Sequence, residues 1–220
     1  LGRTDRQPED VMASAIAAIK AEGYTGIWGA DGDHLQTKAD IFRVAEAGYT
    51  FFTIDPSDHV NNDADSMSSA ELESAYQDML DQVQLTDQNL LEIYLNAAEQ
   101  VGPDLLIAFN NRTLLLRAII KYGAALKYSK DMYNWIDEAN PKREYEVEIS
   151  VDETDTPTSP LEHLFIGLNL KRLGIRIVSL APRFVGDFEK GIDYIGDLVE
   201  FEKQYAQHVA IAKYCGPYKL

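Results

Sequence analysis

The sequence predicts an α/β protein: parallel strands with helices between them, forming part of a TIM-like (β/α)8 barrel, with a helical insertion over about residues 69–140. Three observations carry this. Short apolar runs alternate with helical stretches through tight, glycine-marked connections, the signature of a parallel sheet. No Gly-x-Gly-x-x-Gly turn follows any of the runs, which favours a barrel over a doubly wound nucleotide-binding sheet. Two segments also share one build: Gly26 to His34 and Phe51 to His59 are each an apolar run that breaks into Asp and His. Polar residues at that position would sit at the carboxyl edge of the sheet, where parallel α/β folds keep their chemistry.

Taken in order, Asp10 to Glu22 places Val11, Ala15, Ile16 and Ile19 on one helical face, with Pro8 as a start signal and Gly23 as a stop. Thr25 to Ala30 reads as the first strand, Lys38 to Ala47 as a helix closed by Gly48, and Tyr49 to Ile54 as the second strand. Asn61 to Ser69 is polar and acidic, a loop. Ser69 to Gln84, Asp87 to Val101 and Asn111 to Trp135 have helical spacing and are expected to form the insertion, or a lid over the sheet. Tyr145 to Val151 alternates, with Val147, Ile149 and Val151 on one face and Glu148, Ser150 and Asp152 on the other. A barrel packs its apolar strand face outward on helices, so Glu148 and Ser150 are expected to face inward. Leu161 to Leu173 is a helix ended by Gly174, Ile175 to Leu180 a fourth strand, and Tyr194 to Lys213 a last helix; Tyr218 opens a fifth strand.

The 220 residues are enough for one sizeable domain with a core, and 45% hydrophobic with 25% charged is ordinary for a soluble globular chain. A formal charge of −16 argues against nucleic acid, which needs a basic surface. No apolar stretch approaches the ~20 residues that span a bilayer. The single Cys215 excludes an internal disulfide and suits a cytoplasmic location. There is no signal-peptide pattern at the start. The chain begins at Leu1 and stops on a turn entering a strand, Gly216 to Leu220, so a piece of a longer protein is expected.

Carboxylate and imidazole together can ligate a divalent cation or serve as an acid/base pair. His34 and His59 each follow an Asp directly, Asp33 and Asp58, with Asp31 and Asp55 within four residues. The structural alternative is that Asp33 or Asp58 only caps the next helix or turn. Glu148, Asp152 and Glu153 form a third carboxylate group; Glu148 could equally pair with a Lys or Arg. Glu162 and His163 lie in a first helical turn, where Glu suits the helix dipole without any function. Arg183 follows the fourth strand, with Lys190 seven residues on. A guanidinium there can hold a substrate carboxylate in a fork, or pair with Asp187 or Glu189.

The stretches Trp28 to His34, Phe51 to His59, Val151 to Thr154 on to Pro160, and Ser179 to Gly186, continued by Glu189-Lys190-Gly191 and Asp193 to Gly196, resemble the tagaturonate epimerase family. Members of that family interconvert tagaturonate and fructuronate and are roughly twice this length. They continue into a further His-bearing strand, so a metal ligand could lie outside this chain. The resemblance implies a divalent metal (zinc, manganese or nickel) and a small-molecule hexuronate substrate. Within that reading His34, His59 and Glu153 are expected as metal ligands, Asp33, Asp55 and Asp152 in proton transfer, and Asp31, Asp58, Glu148, Arg183 and Lys190 on the substrate. The two sugars differ at a carbinol carbon β to the ketone, whose C–H is not acidic. Retro-aldol cleavage and re-addition is therefore preferred over proton abstraction, and over a redox route for which no dinucleotide fingerprint is present. The other readings are a metal-dependent aldolase on a related keto acid, a non-catalytic sugar-acid binding module, and an inert unfinished barrel.

Overall fold

The computed structural model describes residues 6–188 and 191–220. Its order is α1 (Pro8–Ala21), β1 (Asp31–Leu35), α2 (Lys38–Glu46), β2 (Phe51–Ile54), two 3-10 turns (Ser57–His59 and Asn62–Asp65), α3 (Ser69–Asp81), α4 (Leu90–Tyr94), β3 (Ala98–Gly102), β4 (Leu105–Ala108), α5 (Arg112–Ala139), β5 (Glu146–Val151), α6 (Pro160–Arg172), β6 (Ser179–Pro182) and α7 (Leu198–Cys215). The α/β class is as expected. Strands β1, β2, β5 and β6 form one parallel sheet in the order in which they occur in the chain. Lys219 extends it by a parallel bridge to Ser179, where the fifth strand was expected.

Register divides the sheet into two faces. Gly32, Phe52 and Val147 align, as do Leu35, Ile54, Ile149 and Leu180; Phe52 and Ile54 are fully buried. This apolar face packs on α2 and α5, and its residues share one buried cluster with those of α6. Asp31 aligns with Phe51, and Thr53 with Glu148 and Ser179, on the opposite face. The alternation read in Tyr145 to Val151 is therefore correct: Glu148 and Ser150 lie on the side away from the helices.

The helices start and stop for local reasons. Thr37 caps α2 by accepting from the Asp40 amide, while Ser68 with Glu71, and Ser159 with Glu162, form reciprocal capping boxes on α3 and α6. Gly48 and Gly174 follow α2 and α6 at φ of 92° and 68°, a conformation costly for any side chain. At 28 residues, α5 is about 42 Å long. It packs against the sheet, α2 and α6, with α3 against it.

Three expectations need correction, the smallest being that the fourth strand is Ser179–Pro182 and not Ile175 to Leu180. The first strand is not Thr25 to Ala30 but Asp31–Leu35, so the Asp31 to His34 motif is the strand and not a loop beyond it. Ile27 is fully exposed and Trp28 is 46% exposed. The backbone reaches the sheet only at Ala30, whose carbonyl accepts from the Thr50 and Phe51 amides. The ladder then breaks between Gly32 and Leu35 in a bulge, with His34 at φ 53°. Nor is Asp87 to Val101 one helix. Only Leu90–Tyr94 is helical, and Ala98–Gly102 pairs antiparallel with Leu105–Ala108 across a two-residue turn, Pro103 and Asp104.

Candidate functional site

The polar sheet face is built from three strands. Thr53, wholly buried in β2, donates to the Asp31 carboxylate at 3.2 Å. Burial raises the Asp31 carboxyl above its ordinary pKa, and the nearby charges of Asp33 and Glu148 add to the rise; Thr53 and His34 act the other way. The bulge leaves Asp33 and His34 largely open, with His34 Nδ1 3.1 Å from Asp33 Oδ1. Further along the sheet, the Ser150 hydroxyl donates to Asp152, just past β5.

At the carboxyl ends of β5 and β6 a pocket of about 360 Å³ is lined by Asp152, Arg183, Phe184 and Phe188 among others. The Arg183 guanidinium donates to the Thr154 carbonyl, and its amide to Thr158 Oγ1 at 3.1 Å. The loop after β5 is thereby tied to the loop after β6.

The other nominated residues lie elsewhere. Asp55 follows β2 as expected, but it is only 5% exposed and accepts from Gln36 Nε2 at 2.8 Å and from the Ser57 amide at 3.0 Å. This carboxylate holds the loops after β1 and β2 together. Asp58 and His59 sit on the first 3-10 turn and line a separate groove against α3 and α5. The His59 ring lies against Tyr128, with centroids 3.9 Å apart. Glu153 is exposed, and Lys190 lies outside the described residues. His34, His59 and Glu153 are thus not brought together, and among the described residues no three His, Cys, Asp or Glu side chains form a metal-binding group. As placed, this trio does not fit a metal.

His163 is not at the site. It is fully buried in α6, with Nδ1 2.8 Å from His208 Nδ1 in α7 and Nε2 2.9 Å from the Tyr218 hydroxyl. Burial lowers both imidazoles, His163 to about 3 and His208 to about 4. Glu162 caps its own helix, as the structural alternative held.

Sequence reading passed over two residues. Thr53 was hidden in an apolar run, although it is the one hydroxyl between Phe52 and Ile54. Lys121, discussed below, lies within a long helix where a lysine ordinarily reads as solvated.

The fold and this face define an α/β protein with a parallel sheet whose acidic side chains gather on the face away from the helices. The chain belongs to the tagaturonate epimerase family, whose model matches residues 1–220. It is 37% identical over 218 residues to a tagaturonate/fructuronate epimerase of Thermotoga maritima, covering 99% of this chain and 43% of that protein. Crystal structures of the fructuronate-tagaturonate epimerase UxaE from Cohnella laeviribosi are also similar. Its native form matches at 38% identity and a TM-score of 0.83, and a form with one glycerol at 39% and 0.83; each match covers 93% of this chain and 40% of the other. The chain spans about two fifths of the length of these relatives.

Proposed function

We propose that the protein containing this chain interconverts tagaturonate and fructuronate. One observation carries the reading: in a chain matching this family from end to end, Asp152 and Arg183 share a pocket at the carboxyl ends of two parallel strands. The sheet order β1, β2, β5, β6, followed by the Lys219 bridge, repeats the chain order without reversal. That supports the (β/α)8 reading, since a doubly wound sheet reverses its strand order.

In the retro-aldol route a base takes the proton from the β-hydroxyl. The bond between the α and β carbons breaks, and its electron pair passes to the α carbon and carbonyl as an enediolate. The β carbon becomes the aldehyde of the carboxylate-bearing fragment. That fragment rotates and re-adds through its other face, and the new alkoxide recovers the proton. Asp152 is the proton-transfer candidate that lines the pocket; Asp55 is committed to Gln36 and Ser57 and acts as a positioning group. Arg183 spends one donor on Thr154 and has others with which to fork a substrate carboxylate while the aldehyde turns. Asp31, its carboxyl raised by burial and by its acidic neighbours, is placed to hydrogen-bond a substrate oxygen. The proposal includes the divalent cation that the resemblance implies and a cytoplasmic location, which suits the lone, unpaired Cys215.

The test incubates the full-length protein with tagaturonate, without added nicotinamide, before and after exhaustive chelation. Fructuronate should appear, and chelation should abolish it until a divalent cation is restored. Two free three-carbon fragments as the main product would favour the aldolase. Binding without either product would leave only a sugar-acid binding module. Full activity in chelated, metal-free protein would remove the cation from the proposal.

A further inference from the structure

Lys121 is 0% exposed in the middle of α5. Its ammonium lies 2.7 Å from Asp65 Oδ2, 2.9 Å from Thr156 Oγ1 and 3.6 Å from Glu162 Oε1. The Thr156 hydroxyl donates to the same Asp65 oxygen at 2.6 Å. Three parts of the chain thus meet on one buried cation: the 3-10 turn after β2, helix α5, and the loop from β5 into α6. Neighbouring bonds repeat the connection. The Asp155 amide donates to Asn62 Oδ1 at 3.2 Å, and the Asn61 amide to the Lys121 carbonyl at 3.0 Å.

Burying an ammonium group is expensive, and a well-packed apolar residue would often serve stability as well or better. What the ion cluster adds is direction, because each partner is held at hydrogen-bond distance from one point. The loop so held begins with Asp152 and Glu153. Its next residue, Thr154, donates its hydroxyl to the Thr156 carbonyl at 2.9 Å and accepts the Arg183 guanidinium on its own carbonyl. A path of direct hydrogen bonds therefore runs from Lys121 through Thr156 and Thr154 to Arg183.

We propose that Lys121 is a positioning residue for the reaction. It fixes the loop that carries Asp152, and through Thr154 the guanidinium of Arg183, relative to the rest of the site. The kinetic part of this inference rests on the epimerase reading above; the structural part does not.

Two variants of the full-length protein test it. In Lys121→Met, hydrogen exchange at the amides of residues 152–158 should speed up by roughly tenfold or more while the centre of α5 stays protected. In the double variant Lys121→Met/Asp65→Leu, apolar packing replaces the ion pair and thermal stability should return to the wild-type level. Its kcat should nonetheless stay down by roughly a hundredfold, the order of loss caused by a misplacement near 1 Å. Unchanged exchange in the loop, or activity that returns together with stability, would overturn the proposal. If the wild-type protein turns over no tagaturonate, the epimerase reading fails by itself. The exchange measurement then still decides whether Lys121 holds the loop.

Discussion

Two polar regions of this molecule use the same kinds of side chain to opposite ends. Between α6 and α7, His163, His208 and Tyr218 form a sealed line in which each close pair needs a single shared hydrogen. Two assignments satisfy both contacts: Tyr218 donates to His163 Nε2 and His163 Nδ1–H to His208 Nδ1, or His208 Nδ1–H donates to His163 Nδ1 and His163 Nε2–H to the Tyr218 hydroxyl. Burial holds both imidazoles neutral. On the sheet face, Asp31, Asp33 and Glu148 crowd like charges together, with His34 open beside them. The first region is paired within itself except at His208 Nε2, which is buried without a hydrogen-bond partner, and it acts as scaffold. The second is locally unfavourable, and such an arrangement persists where function requires it.

If that division is right, its largest signature is catalytic. Asp152→Asn keeps the shape of the side chain and its bond from Ser150 but removes the base. Epimerase turnover should fall by roughly 100- to 10,000-fold with little change in melting temperature. Turnover within a few-fold of wild type would remove Asp152 from the chemistry.

The next signature is the pH dependence of stability. Unfolded imidazoles titrate near 6.5, whereas the folded His163 and His208 titrate at about 3 and about 4. Above pH 6.5 neither state is protonated and the pair costs nothing. As pH falls below 6.5 the unfolded chain takes up protons that the native pair refuses, so stability is lost progressively down to the folded values. Each imidazole contributes up to about 1.4 kcal/mol per pH unit. Denaturant melts between pH 6.5 and 5, above the main carboxylate range, should show this slope in wild type. The His163→Gln/His208→Gln variant should be flatter; equal slopes would show that the pair is not the sensor.

The smallest effect has the opposite sign. Asp31→Asn retains an acceptor for Thr53 but removes one charge from beside Asp33 and Glu148. Thermal stability should rise, by no more than about 1 kcal/mol because the exposed side of this carboxylate is screened by water. A fall in stability would place Asp31 with the scaffold.

The sheet was legible where apolar residues alternate or cluster without competition. Phe51–Ile54 and Glu146–Val151 were located within two residues, and the polar face of β5 followed from its period. The first strand was not, because Ile27 and Trp28 give Thr25 to Ala30 the stronger apolar signal while Asp31–Leu35 offers only Gly32 and Leu35 to the core. The antiparallel hairpin was missed for a different reason. Its first strand, Ala98–Gly102, buries only Val101, and the turn signal in Gly102-Pro103-Asp104 was outweighed by helical spacing upstream. At the site, residue types were readable and mutual distances were not. Nothing local separates His59, lying on Tyr128, from His34, beside the carboxylates. Nothing local marks Lys121 as buried either, because its partners lie 35 to 56 residues away.

The bulge in β1 carries one more consequence. Asp31 and Leu35 are four residues apart, an even spacing that would put both on the same face of a regular strand. They lie on opposite faces only because one extra residue is accommodated at Asp33 and His34. The facing of Asp31 is therefore set by a count and not by the identity of any side chain. Loss of a single codon at position 33 or 34 would leave every chemical group of the motif but one in place. It would nonetheless turn Asp31 into the hydrophobic layer against the helices, or force Leu35 out of it. Change in length, more than change in composition, is what this strand has least room to absorb.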